Sequence, residues 1–103
     1  MIAEAKSLGW LTDLIDTNDV AVVYFTAPAW CVPCRKFAPH FEKASEQAEA
    51  VFVKVDVDQA EPDVLEEFAV QSVPTVKLFR NGQYVTDLQA RTVVPFVNEI
   101  HNA

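Results

Sequence analysis

Residues 20–34 read VAVVYFTAPAWCVPC, and they join a strand-like run to two cysteines at the start of a helix-like segment. The run Val20–Thr26 is apolar, β-branched and aromatic, which predicts a strand covered on both faces. Cys31 and Cys34 are the two cysteines of the chain. Unpaired N–H groups and the dipole at a helix N-terminus favour a thiolate there. The stretch therefore predicts a reactive dithiol whose leading thiol, Cys31, is open to solvent.

Further strand and helix patterns flank this stretch. Val51–Asp56 is a second strand-like run, and the ranges 75–80 and 83–88 predict a hairpin around Asn81-Gly82, whose residues supply the positive φ angles of a two-residue turn. Residues 1–6 are a candidate edge strand. Apolar residues at helical spacing predict helices over the ranges 7–16 and 34–50. A leading proline predicts a short helix over 62–68, and a threonine cap with apolar spacing predicts the last helix over 92–102.

These elements alternate along the chain in a way that indicates one α/β domain. The β-α-β connection through the cysteine helix places its two strands parallel, whereas the hairpin is antiparallel. We therefore expect a central mixed sheet of four to five strands with helices on both faces. A chain of 103 residues without a linker-like stretch predicts a single domain over 1–103.

Composition and charge exclude several classes of function. The formal charge is −7, with only eight Lys and Arg, so the basic footprint of a nucleic-acid binder is missing. The sequence has no Gly-rich phosphate loop and no apolar run of membrane-spanning length. The N-terminal residues are interrupted by charges, unlike a signal peptide, and we expect a cytoplasmic protein without a membrane partner. In that reducing compartment, a thiol pair is typical of catalysis or metal binding.

Two other interpretations of the cysteine pair remain open from the residues alone. Half of a zinc site needs further ligands, and only His40 and His101 offer imidazoles. A structural disulfide would close a very short loop and remove little chain entropy. The sequence predicts no metal site.

The chain resembles the thioredoxins over nearly its whole length. The resemblance depends on Ala29–Arg35 around the dithiol, with Trp30 before Cys31, and on the downstream segments 38–39, 54–58, 73–75 and 81–82. It implies the thioredoxin fold and a protein-disulfide reductase, an electron carrier in cell redox homeostasis.

The resemblance also implies roles for the dithiol. Cys31 would attack a client disulfide as nucleophile, and the shielded Cys34 would resolve the mixed disulfide, leaving a Cys31–Cys34 disulfide. Lys54 would lie part-buried beside the second cysteine and tune the thiolate; without the resemblance, Lys54 and Asp58 are surface charges.

Other residues would form the substrate groove. Trp30 would line a docking surface, and Pro33 would stiffen the loop between the cysteines. The Val73–Pro74 peptide is expected to be cis and to face the dithiol, leaving the Val73 backbone free to pair with a client. Pro39 has a structural role, because it should kink the long helix.

The sequence departs from the thioredoxin pattern near the dithiol. Tyr24 occupies the position of the family's buried acid, and a phenol is a poor base at neutral pH. The loop 26–30 is one residue longer than usual. Gln89 stands where the family has a glycine that lets the substrate approach, and Val32 replaces the glycine of the dithiol motif. These differences concern substrate range and redox potential.

The resemblance implies partners but no bound cofactor. A thioredoxin reductase would recycle the disulfide, so NADPH enters only through that flavoenzyme. Clients would be disulfide-containing proteins, with ribonucleotide reductase as one candidate, and the protein is expected to be a monomer. Two alternatives stay open: a non-catalytic binding module with the same fold, and a disulfide oxidase or isomerase.

Overall fold

The structure is a computed structural model that describes residues 2–103, so Met1, the first residue of the candidate edge strand, lies outside it. The elements of the described chain are, in order, β1 (Ile2–Glu4), α1 (Leu8–Asp16), β2 (Val20–Thr26), α2 (Val32–Ser45), β3 (Val51–Asp56), α3 (Pro62–Glu67), β4 (Thr75–Arg80), β5 (Gln83–Asp87) and α4 (Val93–Asn102). Strands β2, β3 and β4 have the predicted bounds. The edge strand is present as β1.

The strands form one mixed sheet with the order β1-β3-β2-β4-β5. Strands β1 and β2 run parallel to β3 on either side of it, β4 runs antiparallel to β2, and β5 antiparallel to β4. The predicted α/β architecture with a mixed sheet is therefore confirmed. At the centre of the sheet, Tyr24 lies between Lys54 on β3 and Val76 on β4.

Side chains of β2 alternate between two cores, one on each face of the sheet. Val22 and Tyr24 belong to the core under α2 and α4. Val23 and Phe25 belong to the core under α1 and α3. Because successive side chains of a strand point to opposite faces, an apolar run of this kind needs cover on both sides. This alternation directs Tyr24 toward the helix that carries the cysteines.

The cysteine helix begins and ends earlier than the predicted range 34–50. It begins at Val32 because Cys31 is its N-cap and Pro33 fits the first turn, where no hydrogen-bonded N–H is needed. It ends at Ser45, and turns follow, in which the N–H of Ala48 bonds to the C=O of Ala44. Ala48 is nevertheless buried, so the apolar spacing continues beyond the helix.

Smaller differences occur at other ends. Helix α3 ends one residue before Phe68 and strand β5 one residue before Leu88. Thr92 is the N-cap residue of α4, as predicted, but its side chain makes no capping hydrogen bond. Pro39 lies inside α2, as its sequence position requires. Within residues 2–103, no helix is long and apolar enough to cross a membrane.

The hairpin turn has the predicted conformation. Asn81 has φ 52° and Gly82 has φ 81°. A Cβ atom at position 82 would also lie 3.1 Å from Asp16 Oδ1. Glycine is therefore favoured at position 82 by both its backbone angle and the nearby side chain.

Candidate active site

The two cysteines lie at the N-terminus of α2 and form a disulfide, with their Cα atoms 5.2 Å apart. Cys31 is the N-cap residue, and its Sγ accepts a hydrogen bond from the backbone N–H of Cys34 at 3.2 Å. The first N–H groups of a helix have no partner inside the helix, and the helix dipole is positive there. The Cys31 sulfur thus occupies the position where a helix best stabilises negative charge.

Both cysteines are buried in this disulfide form. Cys31 is 4% exposed and Cys34 is 1% exposed. The expectation that Cys31 is open to solvent is therefore wrong for this state. The cause is local packing, because Ala27, Val57 and Val73 lie against the disulfide.

On one side of the disulfide lies a pocket that we call the Trp30 pocket, of about 190 Å³, lined by Trp30, Val57, Leu65, Val70 and residues 71–73. The Trp30 side chain is 59% exposed, in line with a docking surface rather than a core position. Its indole Nε1–H donates to Asp58 Oδ2 at 3.0 Å. Asp58, interpreted from sequence as a surface charge, therefore positions the indole.

On the other side lies a second pocket, which we call the Arg91 pocket, of about 260 Å³, lined by Pro33, Lys36, Phe37, His40, Pro74 and Arg91. The Val73–Pro74 peptide is cis, as expected from the resemblance. Its two residues divide between the pockets, with Val73 lining the Trp30 pocket and Pro74 the Arg91 pocket.

Tyr24 lies directly under the second cysteine. Its hydroxyl donates to the backbone carbonyl of Cys34 at 2.8 Å, and its ring packs on Phe37 and Phe41 with centroid distances of 5.2 and 4.8 Å. Burial raises the pKa of Tyr24 above its ordinary value of 10.0. The phenol therefore keeps its proton at neutral pH and contributes a hydrogen bond, not a base.

Lys54 lies near Tyr24 rather than alone at the surface. Both residues line a cavity of about 130 Å³, together with Glu4 and Glu42. The Lys54 ammonium lies 3.8 Å from Glu4 Oε2, and its side chain is 40% exposed. An exposed pair of this kind contributes little to stability.

Gln89 lies in an irregular segment between β5 and α4 that is held by a side chain of α4. Its N–H donates to both carboxylate oxygens of Glu99 at 2.9 Å, and the N–H of Ala90 donates to Oε1 at 2.8 Å. Within the described chain, Gln89 lines neither pocket. Val32, by contrast, is 52% exposed in the first turn of α2, next to Cys31.

The zinc alternative would need a cluster of ligands around the dithiol. In residues 2–103, no group of three or more His, Cys, Asp and Glu side chains is arranged to hold a metal ion. His40 lines the Arg91 pocket, whereas His101 lies near Val20 and Arg80.

Sequence reasoning missed Arg91 and Glu99. Arg91 Nη1 donates to the carbonyls of Leu88 and Ala90 at 2.8 and 3.0 Å, and its guanidinium carbon lies 5.2 Å from the centre of the Phe37 ring. A single Arg after a hairpin or a single Glu in a helix carries no local signal, because the contacts of Arg91 with Phe37 and of Glu99 with Gln89 and Ala90 join the segment after β5 to α2 and α4. Only the tertiary fold reveals them.

Comparisons with known proteins agree with this geometry. The family model for thioredoxin matches residues 2–100. Thioredoxin-1 of Saccharomyces cerevisiae is 40% identical over 86 residues, which cover 82% of each chain. The thioredoxin of Mycoplasma pneumoniae is 38% identical over 84 residues, covering 81% of this chain and 80% of its own. The structure of Plasmodium falciparum thioredoxin superposes with a TM-score of 0.85 at 32% identity over 97% of both chains.

Matches of this length and identity establish the family and its reaction. Thioredoxins act on disulfide-containing substrates and are recycled by a reductase. The redox-active group is the disulfide within the protein itself. The chain thus belongs to the thioredoxin family and is a dithiol–disulfide oxidoreductase that reduces protein disulfides.

Proposed function

We propose that Cys31 is the nucleophile that attacks client disulfides and that Cys34 is the resolving thiol. The observation that carries this assignment is the hydrogen bond from the Cys34 N–H to Cys31 Sγ at the N-cap of α2. This hydrogen-bond donor at the N-terminus of α2 stabilises the thiolate of Cys31 in the reduced protein, and the thiolate is the attacking species.

The reaction takes two exchange steps. The Cys31 thiolate attacks one client sulfur, so a mixed disulfide forms, the client disulfide breaks, and the other client sulfur leaves as a thiolate that takes a proton from water. Cys34, after losing its proton, attacks Cys31 Sγ. The Cys31–Cys34 bond forms, the mixed disulfide breaks, and the second client sulfur leaves and is protonated. Two electrons pass to the client, and a reductase returns two electrons to the protein.

The proton of Cys34 needs an acceptor other than Tyr24. The phenol keeps its proton and uses it in the hydrogen bond that it donates to the Cys34 carbonyl. We assign the acceptor to water or to another group that reaches Cys34, with Tyr24 as a positioning residue that fixes the Cys34 backbone. The pH dependence of turnover in the Tyr24→Asp variant tests this assignment. A pH profile shifted from that of the unaltered protein supports proton transfer at position 24, whereas an unchanged profile argues that proton transfer at position 24 does not matter for turnover.

The client is proposed to bind along both pockets. Exposed apolar surface of Trp30, Val32 and Pro33 surrounds Cys31. The backbone of Val73, before Pro74, would pair with the extended client chain, as the resemblance implies.

Three further residues have supporting roles in this proposal. Gln89, two residues before Arg91, would bound the client groove beyond the Arg91 pocket. Lys54 would tune the charge near Cys34 through the cavity that it shares with Tyr24. Pro39 would bend α2 to follow the sheet.

We further propose that the chain acts as a monomeric single domain over 1–103 in the cytoplasm. A thioredoxin reductase that draws on NADPH would recycle it, and ribonucleotide reductase is a candidate client. Burial of both core faces by the chain's own helices supports the single domain.

A trapping experiment tests the roles of the cysteines. The Cys34→Ser variant should accumulate a mixed disulfide through Cys31 with a disulfide-containing client such as insulin, detected by intact mass. The Cys31→Ser variant should form none and should lose turnover with a reductase. Trapping through Cys34 instead would overturn the assignment, and full activity of Cys31→Ser would favour the non-catalytic binding module.

A further inference from the structure

The Arg91 pocket differs in charge from the rest of the molecule. Lys36, His40 and Arg91 stand around a floor of Pro33, Phe37 and Pro74. Among the described residues, no carboxylate lines this pocket. The whole chain has fifteen acidic residues and eight Lys and Arg. Two cationic side chains and an imidazole around one small pocket therefore form a local exception to an acidic surface.

Arg91 is held in place before any ligand arrives. Its Nη1 donates to the carbonyls of Leu88 and Ala90, and its guanidinium lies over the Phe37 ring. Within the described chain, no hydrogen bond is formed by Nε or Nη2 of Arg91. An arginine whose plane is already fixed loses less side-chain entropy when it binds a carboxylate.

The acidic groups nearest to Arg91 have other partners. Glu99 accepts hydrogen bonds from the N–H groups of Gln89 and Ala90. Asp87 Oδ1 accepts hydrogen bonds from Lys77 Nζ and the Tyr84 hydroxyl. Neither carboxylate forms a salt bridge with Arg91 in the described chain. The guanidinium therefore retains donors for an incoming carboxylate.

The pocket adjoins the place where a client sulfur must bind. Pro33 lies between the two cysteines, and Pro74 follows Val73, which packs against the disulfide. We propose that the Arg91 pocket binds an acidic side chain, Asp or Glu, next to the client cysteine that Cys31 attacks. The proposal deepens the proposed function, since it depends on the client lying across Val73 and Pro74.

Matched client peptides test the proposal. Each peptide carries one cysteine in a disulfide with a small fluorescent thiol, and a Glu or a Gln stands immediately before or after the cysteine. Stopped-flow fluorescence gives the second-order rate constant with the reduced protein. At one of the two positions, before or after the cysteine but not both, the Glu peptide should react about three- to ten-fold faster than the Gln peptide. This preference for Glu should fall with added salt.

Variants of the protein assign that preference to Arg91. Arg91→Gln should bring the Glu-to-Gln ratio close to one, whereas Arg91→Lys should keep part of it. The matched control, Lys43→Gln, removes one positive charge from the exposed far end of α2 and should keep the full ratio. The rate with the Gln peptide reports in the same sample whether each variant is folded and reactive.

The outcomes separate this inference from the function on which it depends. Equal rates for Glu and Gln peptides in the unaltered protein, or a ratio that Arg91→Gln leaves unchanged, would overturn the pocket assignment alone. A preference for Glu on both sides of the cysteine would also overturn it, because it would indicate a diffuse field rather than a pocket. Failure to reduce the Gln peptide at all would instead contradict the proposed function.

Discussion

The two pockets beside the disulfide are built from different parts of the molecule. The Trp30 pocket has a wall of exposed indole, which is 59% accessible and tethered by one hydrogen bond to Asp58. The Arg91 pocket has Phe37 in its floor, which is 2% exposed and belongs to the aromatic core under α2 and α4. The cis peptide contributes one residue to each.

In the proposed mode of client binding, this difference separates a residue that serves binding alone, Trp30, from a residue that serves both binding and folding, Phe37. The indole of Trp30 belongs to neither core, so a change of Trp30 should alter the proposed client recognition with little loss of stability. Phe37 lines the Arg91 pocket and also belongs to the core, so a change of Phe37 should alter both the stability and the proposed client binding. The following predictions test this contrast, from the largest expected effect to the smallest, with the Trp30 truncation given directly beside the Phe37 truncation to which it is matched.

Truncation of Phe37 should have the largest effect. Its ring meets Tyr24 and Phe96 edge-on at 5.2 Å and also supports Arg91. Phe37→Ala should lower the free energy of unfolding by about 3–5 kcal/mol, because a large buried side chain leaves a cavity. Urea denaturation followed by circular dichroism measures this.

Trp30→Ala is the matched truncation on the other side of the disulfide. It should cost less than about 1 kcal/mol of stability, since the side chain is exposed, but should slow client reduction. Equal losses of stability in the two variants would remove the contrast between the pockets.

Removing the Tyr24 hydroxyl should have an intermediate effect. Tyr24→Phe keeps the ring packing but leaves the buried Cys34 carbonyl without this donor. We expect a loss of about 1–3 kcal/mol in unfolding free energy, the cost of an unsatisfied buried polar group. Thermal unfolding of the oxidised protein provides the measurement, and Tyr84→Phe, at an exposed position, is the control. A loss no larger than that of the control would show that the Tyr24 hydrogen bond does not stabilise the site.

The smallest effect is expected for Asp87, the last residue of β5, which precedes the segment that leads to Arg91. Burial acts to raise the pKa of Asp87. Hydrogen bonds from Lys77 and Tyr84, together with the positive charge of Lys77, outweigh burial and hold that pKa below its ordinary value of 3.8. A carboxylate whose pKa is lower in the folded state adds stability above the unfolded value, and this part is lost as the pH falls through the folded pKa.

Asp87→Asn should therefore flatten the loss of stability below about pH 4, with a difference under about 1 kcal/mol because the side chain is 39% exposed. Urea midpoints between pH 2 and pH 7 measure it. Parallel curves for the two proteins would show that Asp87 has the same pKa folded and unfolded.

Much of the fold could be predicted because its signals are local. The apolar run of β2, the Asn81-Gly82 turn and Pro62 at the start of α3 each act within a few residues. The end of α2 could not be predicted, because the buried Ala48 continues the helical spacing after the helix has ended. The spacing of buried side chains shows which face of a segment is covered. It does not show which backbone hydrogen bonds the segment makes.

The site could be predicted only in part. The dithiol has a local sequence signal, and the cis proline is expected from the resemblance to thioredoxins; their neighbours Trp30 and Val73 lie beside the disulfide in the structure. The burial of Cys31 could not be read from its place at a helix start, since it depends on Ala27, Val57 and Val73.

The carboxylate of Glu99 has a consequence for protein engineering. The backbone N–H groups of Gln89 and Ala90 are held by this side chain from α4, a helix remote in sequence from the dithiol. Segment 89–91 transplanted alone into a homologue would lack these hydrogen bonds, and with them the backbone position from which Arg91 reaches the carbonyls of Leu88 and Ala90. A chimera intended to inherit the proposed preference for acidic clients should therefore include Glu99 as well as segment 89–91.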